Sequence, residues 1–406
     1  MGGNIMVAQS GGPTVVINSS LAGVISGAKK HFKDSTVYGS LNGIEGVIKG
    51  NIVSLSEQVN TAEKEDLLSK TPAMALGSCR YKMPKPEKEP SVYEAIEKTF
   101  LKYNVDTFIY IGGNDSMDTV LTLSKYFEGK GIKVVGVPKT IDNDLCGTDH
   151  TPGFGSAAKY IATTLSEVAS DCEIYDLDAV TIVEIMGRNA GFLTMASGIP
   201  YYLGDYAPHL IYLPERPIDL DKVIADIKEK MLSSRAVIVA VSEGVKTKNG
   251  EYLAAAAPDA FGHKQLSGAG KVLEQYIKDK LGCKVRSIEL NTPQRAAAHQ
   301  MSETDRKEAF LLGDKAVKAA KENLSGVVSV LKREQSDRYT VSFSTEKAEI
   351  VANAEKKVPD EFINAEGNFI TKAAFDYMLP LIQGEVELKY ENGIPKKFKI
   401  DKTKLV

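Results

Sequence analysis

The sequence predicts an α/β fold with two Rossmann-like three-layer domains, each on a parallel-rich sheet, and a small β-rich C-terminal addition. Short β-branched runs alternate with amphipathic stretches from the N-terminus to about residue 250. A second set of apolar runs follows the first, and after about residue 330 the pattern changes to isolated strand-like segments. With 406 residues, 43% of them hydrophobic, the chain is long enough for two domains with buried cores.

Three pairs of segments carry the alternation in the first part of the chain. Each pairs a short apolar run with an amphipathic stretch, which is the order that builds βαβ units. The pairs are residues 5–8 with 14–30, residues 107–111 with 116–127, and residues 134–137 with a helix that begins near Gly155.

The best-marked helix is predicted to begin at Ser91. The hydroxyl of Ser91 can cap free amides of the first turn, and Glu94, three residues on, can reach back to complete a capping box. Ile96, Phe100 and Tyr103 then fall on one face of the helix. The helix leads into the predicted strand at residues 107–111.

Later apolar runs divide the chain into domains. Residues 180–185, 210–213 and 236–241 look like strands of a second sheet, and residues 339–343 and 385–390 look like strands of the C-terminal addition. We predict that residues 1–156 and about 300–406 form the first domain with the addition, and that about 157–299 form the second.

Composition favours a small-molecule partner. Fifty basic residues against 53 acidic ones give a formal net charge of -3, and no block of Lys and Arg marks a nucleic-acid or membrane surface. The 4 cysteines form no C-x-x-C pair, which argues against a disulfide framework or zinc site and fits a reducing compartment. No apolar segment approaches the roughly 18 residues of a membrane span, and no basic leader is visible, so we expect a cytoplasmic protein.

Two glycine loops follow predicted strands, where ligands of parallel sheets gather. Residues 9–14 read QSGGPT, and this loop suits a phosphate because glycines admit close approach and the following helix presents free amides. A plain strand-to-helix turn is the alternative. Residues 112–116 read GGNDS, in which the carboxylate of Asp115 would repel a phosphate; Asp115 and Ser116 as helix caps are the alternative.

Two charged segments follow other predicted strands. Residues 135–144 read VGVPKTIDND and place Lys139, Asp142 and Asp144 after an apolar run. A solvated turn would be the usual explanation, but a carboxylate that activates a hydroxyl beside a cation that holds a phosphoryl group needs these residue types. After residues 180–185 come Gly187, which permits close approach, and Arg188, which can bind an oxyanion or form an ordinary ion pair.

Together these segments resemble the phosphofructokinase family. GGNDS is similar to the family's GGDGS or GGDDS loop, PKTIDND is similar to its P-[GK]-TIDND loop, and MGR at residues 186–188 is unchanged. LGSCR at residues 76–80, SEG at 242–244 and PQR at 293–295 resemble further family segments. The similarity runs from about residue 4 to about residue 320, and the C-terminal addition lies outside it.

The resemblance implies a reaction and a fold. Family members transfer a phosphoryl group to the 1-hydroxyl of fructose 6-phosphate with magnesium, giving fructose 1,6-bisphosphate, and assemble as dimers or tetramers of two-domain subunits. By the same resemblance the catalytic residues are Asp142, the general base, with Lys139, Asp115 and Arg188. Asn114 is the residue implied for the metal.

The resemblance also assigns binding residues. Those implied for the phosphate donor are Gly12, Arg80, Asp115, Ser116 and Lys139. Those implied for the sugar phosphate are Thr140, Ile141, Asp142, Asp144, Met186, Gly187, Arg188, Glu243, Arg286, Thr292, Pro293, Gln294 and Arg295. Arg295 would hold the 6-phosphate, and Arg286 has the spacing of an arginine that a neighbouring subunit supplies.

Two residues predict the donor. ATP-dependent members resemble GGDGS with PGTIDND, whereas pyrophosphate-dependent members carry Asp and Lys where this chain has Asp115 and Lys139. A carboxylate about 4 Å from a nucleotide α-phosphate costs roughly 4 kcal/mol at an effective dielectric of 20, or about a thousandfold in binding. We therefore predict pyrophosphate as donor, with an ATP-dependent phosphofructokinase as the alternative.

Other classes fit the residues less well. A non-catalytic regulatory subunit would be free to lose Asp142, and a dinucleotide-dependent oxidoreductase would need a G-x-G-x-x-G after the first strand, which is missing.

The chain also departs from the family's pattern. Asn114 replaces a metal-associated aspartate, Ala179 replaces a phosphate-binding arginine of ATP-dependent bacterial members, and Thr292 replaces a histidine or tyrosine. The 5 histidines lack metal-ligand spacing and are expected to be ordinary surface or hydrogen-bonded residues.

Overall fold

A computed structural model describes residues 3–254, 268–352 and 354–406. The strands form two large sheets and one short hairpin. They are β1 Asn4–Gln9, β2 Val37–Ser40, β3 Ile52–Ser54, β4 Val105–Gly112, β5 Lys133–Pro138, β6 Ala179–Ile185, β7 Leu210–Tyr212, β8 Ala236–Ser242, β9 Lys284–Glu289, β10 Val327–Arg333, β11 Val341–Lys347, β12 Tyr390–Glu391 and β13 Ile394–Pro395.

Helices follow most of the strands. The α-helices are α1 Ile17–His31, α2 Gly43–Lys49, α3 Leu55–Gln58, α4 Ala62–Ser69, α5 Pro90–Lys102, α6 Asn114–Tyr126, α7 Phe154–Glu173, α8 Phe192–Ala196, α9 Ile199–Tyr202, α10 Leu220–Met231, α11 Ala269–Leu281, α12 Glu303–Lys321, α13 Ala348–Val351 and α14 Lys372–Met378. Short 3₁₀-helices cover Thr292–Arg295, Ala298–Gln300, Asp360–Phe362 and Leu379–Ile382. None of the helices within the described ranges combines the length and apolar character needed to cross a bilayer.

The two large sheets are rich in parallel pairs. The first has the order β11-β10-β5-β4-β1-β2-β3, and only its edge strands β11 and β3 run antiparallel to their neighbours. The second has the order β7-β8-β6-β9 and is parallel throughout. Parallel strands need crossover connections, and the helices between them supply these. The α/β fold class is therefore confirmed.

Helices cover both faces of the first sheet because its strands are apolar on both sides. Ile5 and Val7 of β1 are buried with residues of α1 and α12, whereas Met6 and Ala8 are buried with residues of α5 and α6. Successive residues of a strand point to opposite faces, so one short run serves two cores.

The second sheet is built in the same way. Val183 and Ile185 of β6 belong to the core that includes α7 and α8, and Val180 and Ile182 belong to the core that includes α10 and α11. Each sheet is thus the middle layer of three. Since ligands of such sheets bind beyond the carboxyl ends of the strands, those ends decide where the site lies.

Two predicted helix starts differ from the structure. Helix α1 begins at Ile17 and not at Thr14, because residues 10–14 continue as an irregular loop. Helix α5 begins at Pro90, with Glu89 before it and no side-chain capping bond, so the capping box of Ser91 is wrong. Proline suits the first helical position because its missing N–H has no partner there in any case.

The C-terminal region contains helices as well as strands. The predicted strand at residues 339–343 is observed as β11, Val341–Lys347, which pairs with β10 at the edge of the first sheet. Within the predicted strand at residues 385–390 only Tyr390 belongs to a strand, in the β12–β13 hairpin. Helix α14 buries Phe375 and Met378 in the core of the second sheet. The region therefore contacts both sheets.

Candidate active site

Three loops of the first sheet lie side by side. The N–H of Ser10, after β1, donates to the Ile111 carbonyl at 2.9 Å, and the N–H of Lys139, after β5, donates to the Gly112 carbonyl at 2.9 Å. The parallel pairing of β1, β4 and β5 brings their carboxyl ends to one edge. The loops QSGGPT, GGNDS and PKTIDND therefore form one surface, as the sequence predicts.

Lys139 is the buried cation of this surface. Its side chain is only 2% exposed, and its Nζ donates to the Gly12 carbonyl at 2.6 Å. Burial lowers the pKa of Lys139 to about 8, although the carboxylates of Asp142 and Asp144 oppose this shift. The solvated-turn explanation of Lys139 is therefore wrong. A cation held against a glycine loop is placed to neutralise a bound anion.

Arg295 reaches the same loop from the second half of the chain. A Cβ atom at Gly12 would lie 3.4 Å from Nη1 of Arg295. Within the described residues, the Nε of Arg295 is buried and has no hydrogen-bond partner. Since a buried donor without a partner costs free energy, this atom points to a ligand that would satisfy it. The predicted sugar-phosphate residue thus also lies against the predicted donor loop.

The carboxylate of Asp142 interacts with charged side chains of both signs. Burial raises the pKa of Asp142 to about 7, the carboxylates of Asp144 and Glu243 add to the shift, and Lys139 and Arg188 oppose it. A carboxylate whose pKa lies near neutrality can accept a proton from a hydroxyl and release it again. The raised pKa therefore suits Asp142 to general-base catalysis.

The turn around Asp142 is fixed by the residues beside it. Asn143 adopts a left-handed conformation with φ of 57°, and its Nδ2 donates to the Tyr377 hydroxyl at 2.9 Å. Its Oδ1 accepts from the N–H of Thr151 at 3.1 Å, and the N–H of Asp142 donates to Thr140 Oγ1 at 3.1 Å. Ile141 is buried in the core of the second sheet. These contacts orient the carboxylates on either side of Asn143.

The second sheet brings three predicted segments together. The N–H of Gly187 donates to Glu243 Oε1 at 3.2 Å, and the N–H of Met186 donates to Gln294 Oε1 at 3.2 Å. Gly187 has φ of 134°, a conformation that residues with a Cβ rarely adopt. Burial raises the pKa of Glu243 to about 7, although the Gly187 amide, Arg188 and Arg295 oppose the shift. MGR, SEG and PQR therefore line one wall.

The GGNDS loop starts helix α6 without a side-chain cap. Gly113 is the N-cap, and Asp115 and Ser116 lie inside the helix, so the helix-cap explanation of these two residues is wrong. Asp115 is exposed, whereas Ser116 is 3% exposed and packs so closely on Gly112 that a Cβ there would lie 2.0 Å from its Oγ. The Nδ2 of Asn114 donates to the Ala354 carbonyl at 3.2 Å. Arg80 is exposed.

The structure does not bring every predicted residue into this cluster. Arg286 lies in the amino-terminal half of β9, and its guanidinium donates to Asp171 Oδ2 at 2.7 Å and to Thr181 Oγ1 at 3.1 Å. The cluster lies at the opposite, carboxyl ends of these strands, so Arg286 is remote from it within this chain. Thr292 and Pro293 are exposed on the short helix that carries Arg295.

Some residues around the site gave no usable signal in the sequence. Tyr377 and Lys356 both contact Asn143, from more than two hundred positions further along the chain. His150 is buried, with Nδ1 2.8 Å from Asp149 Oδ1 and Nε2 2.7 Å from Glu308 Oε2, so it is one of the hydrogen-bonded histidines that we expected. No local pattern marks these contacts, because each depends on a distant partner.

Comparisons with known proteins agree with this geometry. The family model described as phosphofructokinase matches residues 4–320. The chain is 39% identical over 401 residues to a pyrophosphate–fructose 6-phosphate 1-phosphotransferase of Xanthomonas campestris pv. campestris, covering 97% of this chain and 95% of the relative. It is 38% identical to the protein of that name from Halomonas elongata, covering 98% and 96%.

Solved structures agree as well. A pyrophosphate-dependent phosphofructokinase of Nitrosospira multiformis superposes with a TM-score of 0.88 at 34% identity, over 100% of this chain and 97% of that one. The match therefore includes the C-terminal region that lies outside the family model. On its sequence motifs, its fold and these relatives, the chain belongs to the phosphofructokinase family.

Proposed function

We propose that this chain transfers a phosphoryl group from pyrophosphate to the 1-hydroxyl of fructose 6-phosphate, reversibly and with magnesium, giving fructose 1,6-bisphosphate and phosphate. The observation that carries the proposal is the position of Asp142, a carboxylate with a pKa of about 7 among Lys139, Arg188 and Glu243. The relatives named above, which carry that activity in their names, support it.

The donor would bind at the loops of the first sheet, in the domain that we assign to residues 1–156 and about 300–406. Gly12 and the N-terminus of α6 would present amides to it, with Arg80 and Ser116 nearby. Lys139, buried against Gly12, would neutralise pyrophosphate. Asp115, exposed on the first turn of α6, would repel the α-phosphate of a nucleotide. ATP remains the alternative donor.

The acceptor would bind against the second sheet, in the domain that we assign to about residues 157–299. Asp142 would take the proton of the 1-hydroxyl while the oxygen attacks the donated phosphorus. Arg188 and Glu243 would hold the sugar, with the amides of Met186 and Gly187. Because Arg295 adjoins both walls of the site, its buried and unpartnered Nε, within the part of the chain that the structure describes, supports contact with a phosphate there.

Magnesium suits the carboxylates of the PKTIDND loop, which we call the catalytic loop. The described ranges contain no cluster of three or more His, Cys, Asp or Glu side chains that could hold a metal. Mg²⁺ suits such a site because it uses one or two carboxylates together with substrate phosphates and water. Burial and the neighbouring Glu355 raise the pKa of Asp144, so a cation would stabilise its charged form. Asp144 would hold the ion, and Asn114 would contact it through water.

When bound, the magnesium ion would offset negative charge on the phosphates. We further propose a cytoplasmic homodimer or homotetramer that binds neither nucleic acid nor membranes. In it the Arg286 guanidinium, remote from the site of its own chain, would reach the sugar phosphate of a neighbouring subunit.

A donor comparison tests the proposal. The purified chain is supplied with fructose 6-phosphate, magnesium and either pyrophosphate or ATP, and fructose 1,6-bisphosphate is measured. We expect rapid turnover with pyrophosphate and little with ATP. Preference for ATP would establish the alternative, and no bisphosphate with either donor would contradict both.

A further inference from the structure

A short C-terminal segment, residues 354–358, runs across the loops of the site, and we call it the strap. Its first residue contacts the GGNDS loop, because the Ala354 carbonyl accepts from Nδ2 of Asn114 at 3.2 Å. Two residues later the N–H of Lys356 donates to the carbonyl of Asp144 at 2.7 Å. The strap therefore joins the GGNDS loop to the TIDND loop by hydrogen bonds.

The far end of the strap contacts the second sheet. The N–H of Val358 donates to Glu215 Oε1 at 3.0 Å, and the same oxygen accepts from the N–H of Gly191 at 2.9 Å. Gly191 follows the MGR segment by three residues. The five residues of the strap thus connect the GGNDS loop, the TIDND loop and the loop after β6.

The side chain of Lys356 strengthens the middle of the strap. Its Nζ donates to the Asp149 carbonyl at 2.7 Å and lies 3.3 Å from Oδ1 of Asn143, and it lies 5.3 Å from the centre of the Phe192 ring. The ammonium therefore joins Asn143, which lies between Asp142 and Asp144, to Asp149, five residues beyond Asp144.

Tyr377 completes the arrangement from helix α14. Its hydroxyl accepts from Nδ2 of Asn143 at 2.9 Å and donates to the Asp149 carbonyl at 2.9 Å. Lys356 and Tyr377 thus share both partners. Asn143 is in a left-handed conformation, which is unfavourable for most residues and persists when surrounding contacts hold it.

We propose that the strap sets the distances between the GGNDS loop, the TIDND loop and the loop after β6, with Lys356 and Tyr377 as positioning residues for Asp142. The proposal rests on the proposed phosphoryl transfer. In-line transfer requires donor and acceptor groups to be aligned, and a displacement of about 1 Å can slow a reaction about a hundredfold. Side chains that fix the loop would therefore affect turnover without touching either substrate.

The first experiment does not depend on activity. Hydrogen–deuterium exchange is measured for peptides covering residues 110–117 and 139–151 in the parent and in Lys356→Met, which keeps the apolar stem but removes the ammonium. We expect both loops to exchange faster in the variant, by at least about tenfold. Exchange equal to that of the parent in both loops would overturn the proposal.

A matched control separates positioning from general stability. Lys159 is another lysine that anchors the C-terminal region, with Nζ donating to the Gly384 carbonyl at 2.9 Å and to Glu385 Oε1 at 2.8 Å. It contacts none of the loops of the site through these bonds. Lys159→Met should leave exchange in both loops unchanged, and equal acceleration by the two variants would contradict a specific role for Lys356.

Kinetics give the second readout. Lys356→Met should lower kcat by at least about tenfold while changing KM for pyrophosphate and fructose 6-phosphate by less than about threefold, and Lys356→Arg should recover part of kcat. Lys159→Met should keep the parent kcat. A Lys356→Met enzyme with the parent kcat would refute the proposal, whereas a parent inactive with pyrophosphate would refute the proposed donor and leave the exchange experiment decisive.

A milder variant covers the case in which Lys356→Met does not fold. Tyr377→Phe removes one hydroxyl at almost constant volume, and with it the bonds to Asn143 and Asp149. We expect faster exchange at residues 139–151 and a kcat reduced by about three- to tenfold, with KM nearly unchanged. Parent-like exchange and kcat in Tyr377→Phe would overturn the proposal.

Discussion

The two sheets contribute different kinds of groups to one site. The first sheet supplies buried charges, Lys139 against the Gly12 carbonyl and Asp142 with its pKa near 7. The second supplies a shaped wall, in which the N–H of Gly187 is held by Glu243. Buried charges act on the charge that develops during a reaction, whereas fixed walls recognise the shape of a ligand. Loss of the buried charges of the first sheet should therefore mainly affect turnover, and changes to the wall of the second should mainly affect binding of the sugar phosphate.

The largest effect is expected for Asp142→Asn. The substitution conserves size, so the fold and most of the substrate binding should persist, but the general base is lost. We expect kcat to fall by at least about a hundredfold, measured with saturating pyrophosphate and fructose 6-phosphate.

The pH dependence of kcat in the parent and in Asp142→Asn is a second test of the general base. Because burial first, and then Asp144 and Glu243, raise the pKa of Asp142 to about 7, turnover of the parent should fall as the pH drops through that value. Asp142→Asn should lose this acidic limb. Near-parent turnover in Asp142→Asn would remove this residue from the mechanism.

Arg295→Ala tests the wall of the second sheet. A buried charge-assisted contact contributes roughly 1.5 to 3 kcal/mol, so KM for fructose 6-phosphate should rise by about ten- to a hundredfold and KM for pyrophosphate by much less. Initial rates at varied concentrations of each substrate measure both constants. Equal weakening of the two substrates would instead place Arg295 with the donor loop, next to Gly12.

A smaller effect is expected for the choice of phosphate donor, and here one substitution should improve the use of a substrate, ATP, where the preceding substitutions impair the enzyme. Asp115→Gly removes a carboxylate that would repel a nucleotide, so KM for ATP should fall. Because Asp115 is exposed, solvent screens it, and we expect about tenfold in place of the thousandfold of an unscreened charge. Lys139→Gly should impair pyrophosphate use without admitting ATP, because it relieves no repulsion.

Kinetics with both donors in each single variant and in the pair distinguish the two roles. Improved ATP use in Lys139→Gly alone would show that Lys139, and not Asp115, limits the nucleotide. Unchanged ATP use in Asp115→Gly would mean that a steric barrier excludes adenosine.

The smallest effect concerns stability beneath the catalytic loop. Burial alone would lower the pKa of His150, but hydrogen bonds to Asp149 and Glu308 outweigh it, so the pKa is raised. A raised folded-state pKa gives stability that is present below the unfolded value of about 6.5 and is lost as the pH rises through the folded value.

Urea unfolding at a series of pH values tests this balance. The free energy of unfolding of the parent should decline between about pH 6.5 and the higher folded pKa, and His150→Gln should show a weaker decline. The same slope in both proteins would show that His150 is not charged in the folded state. Arg333 and Tyr339 also contact this network, through Asp149 and Glu308, and are left unchanged in the comparison.

Sequence by itself determined the alternation of strands and helices and the loops that carry chemistry. The apolar runs at β1, β4 and β5 are local patterns, and the parallel pairing of these strands then brings their carboxyl ends together. Lys139, Asp142 and Gly187 were marked as candidates because each lies within four residues of the end of a strand, whereas Glu243 was marked by the resemblance to the family. Helix starts were less predictable, since Pro90 outweighed the capping signal of Ser91.

Only the tertiary structure decided how that site is supported. Lys356 reaches Asn143 across 213 positions of the chain, and Asp305 accepts from the N–H groups of Gly153 and Ser156 at the start of α7 across about one hundred and fifty. Arg295 likewise meets Gly12 from the other sheet. Such contacts leave no local periodicity, because a buried polar group is specified by whichever distant partner satisfies it. Local sequence patterns are sufficient to predict which groups react, whereas the alignment of those groups depends on hydrogen bonds between residues far apart in the chain.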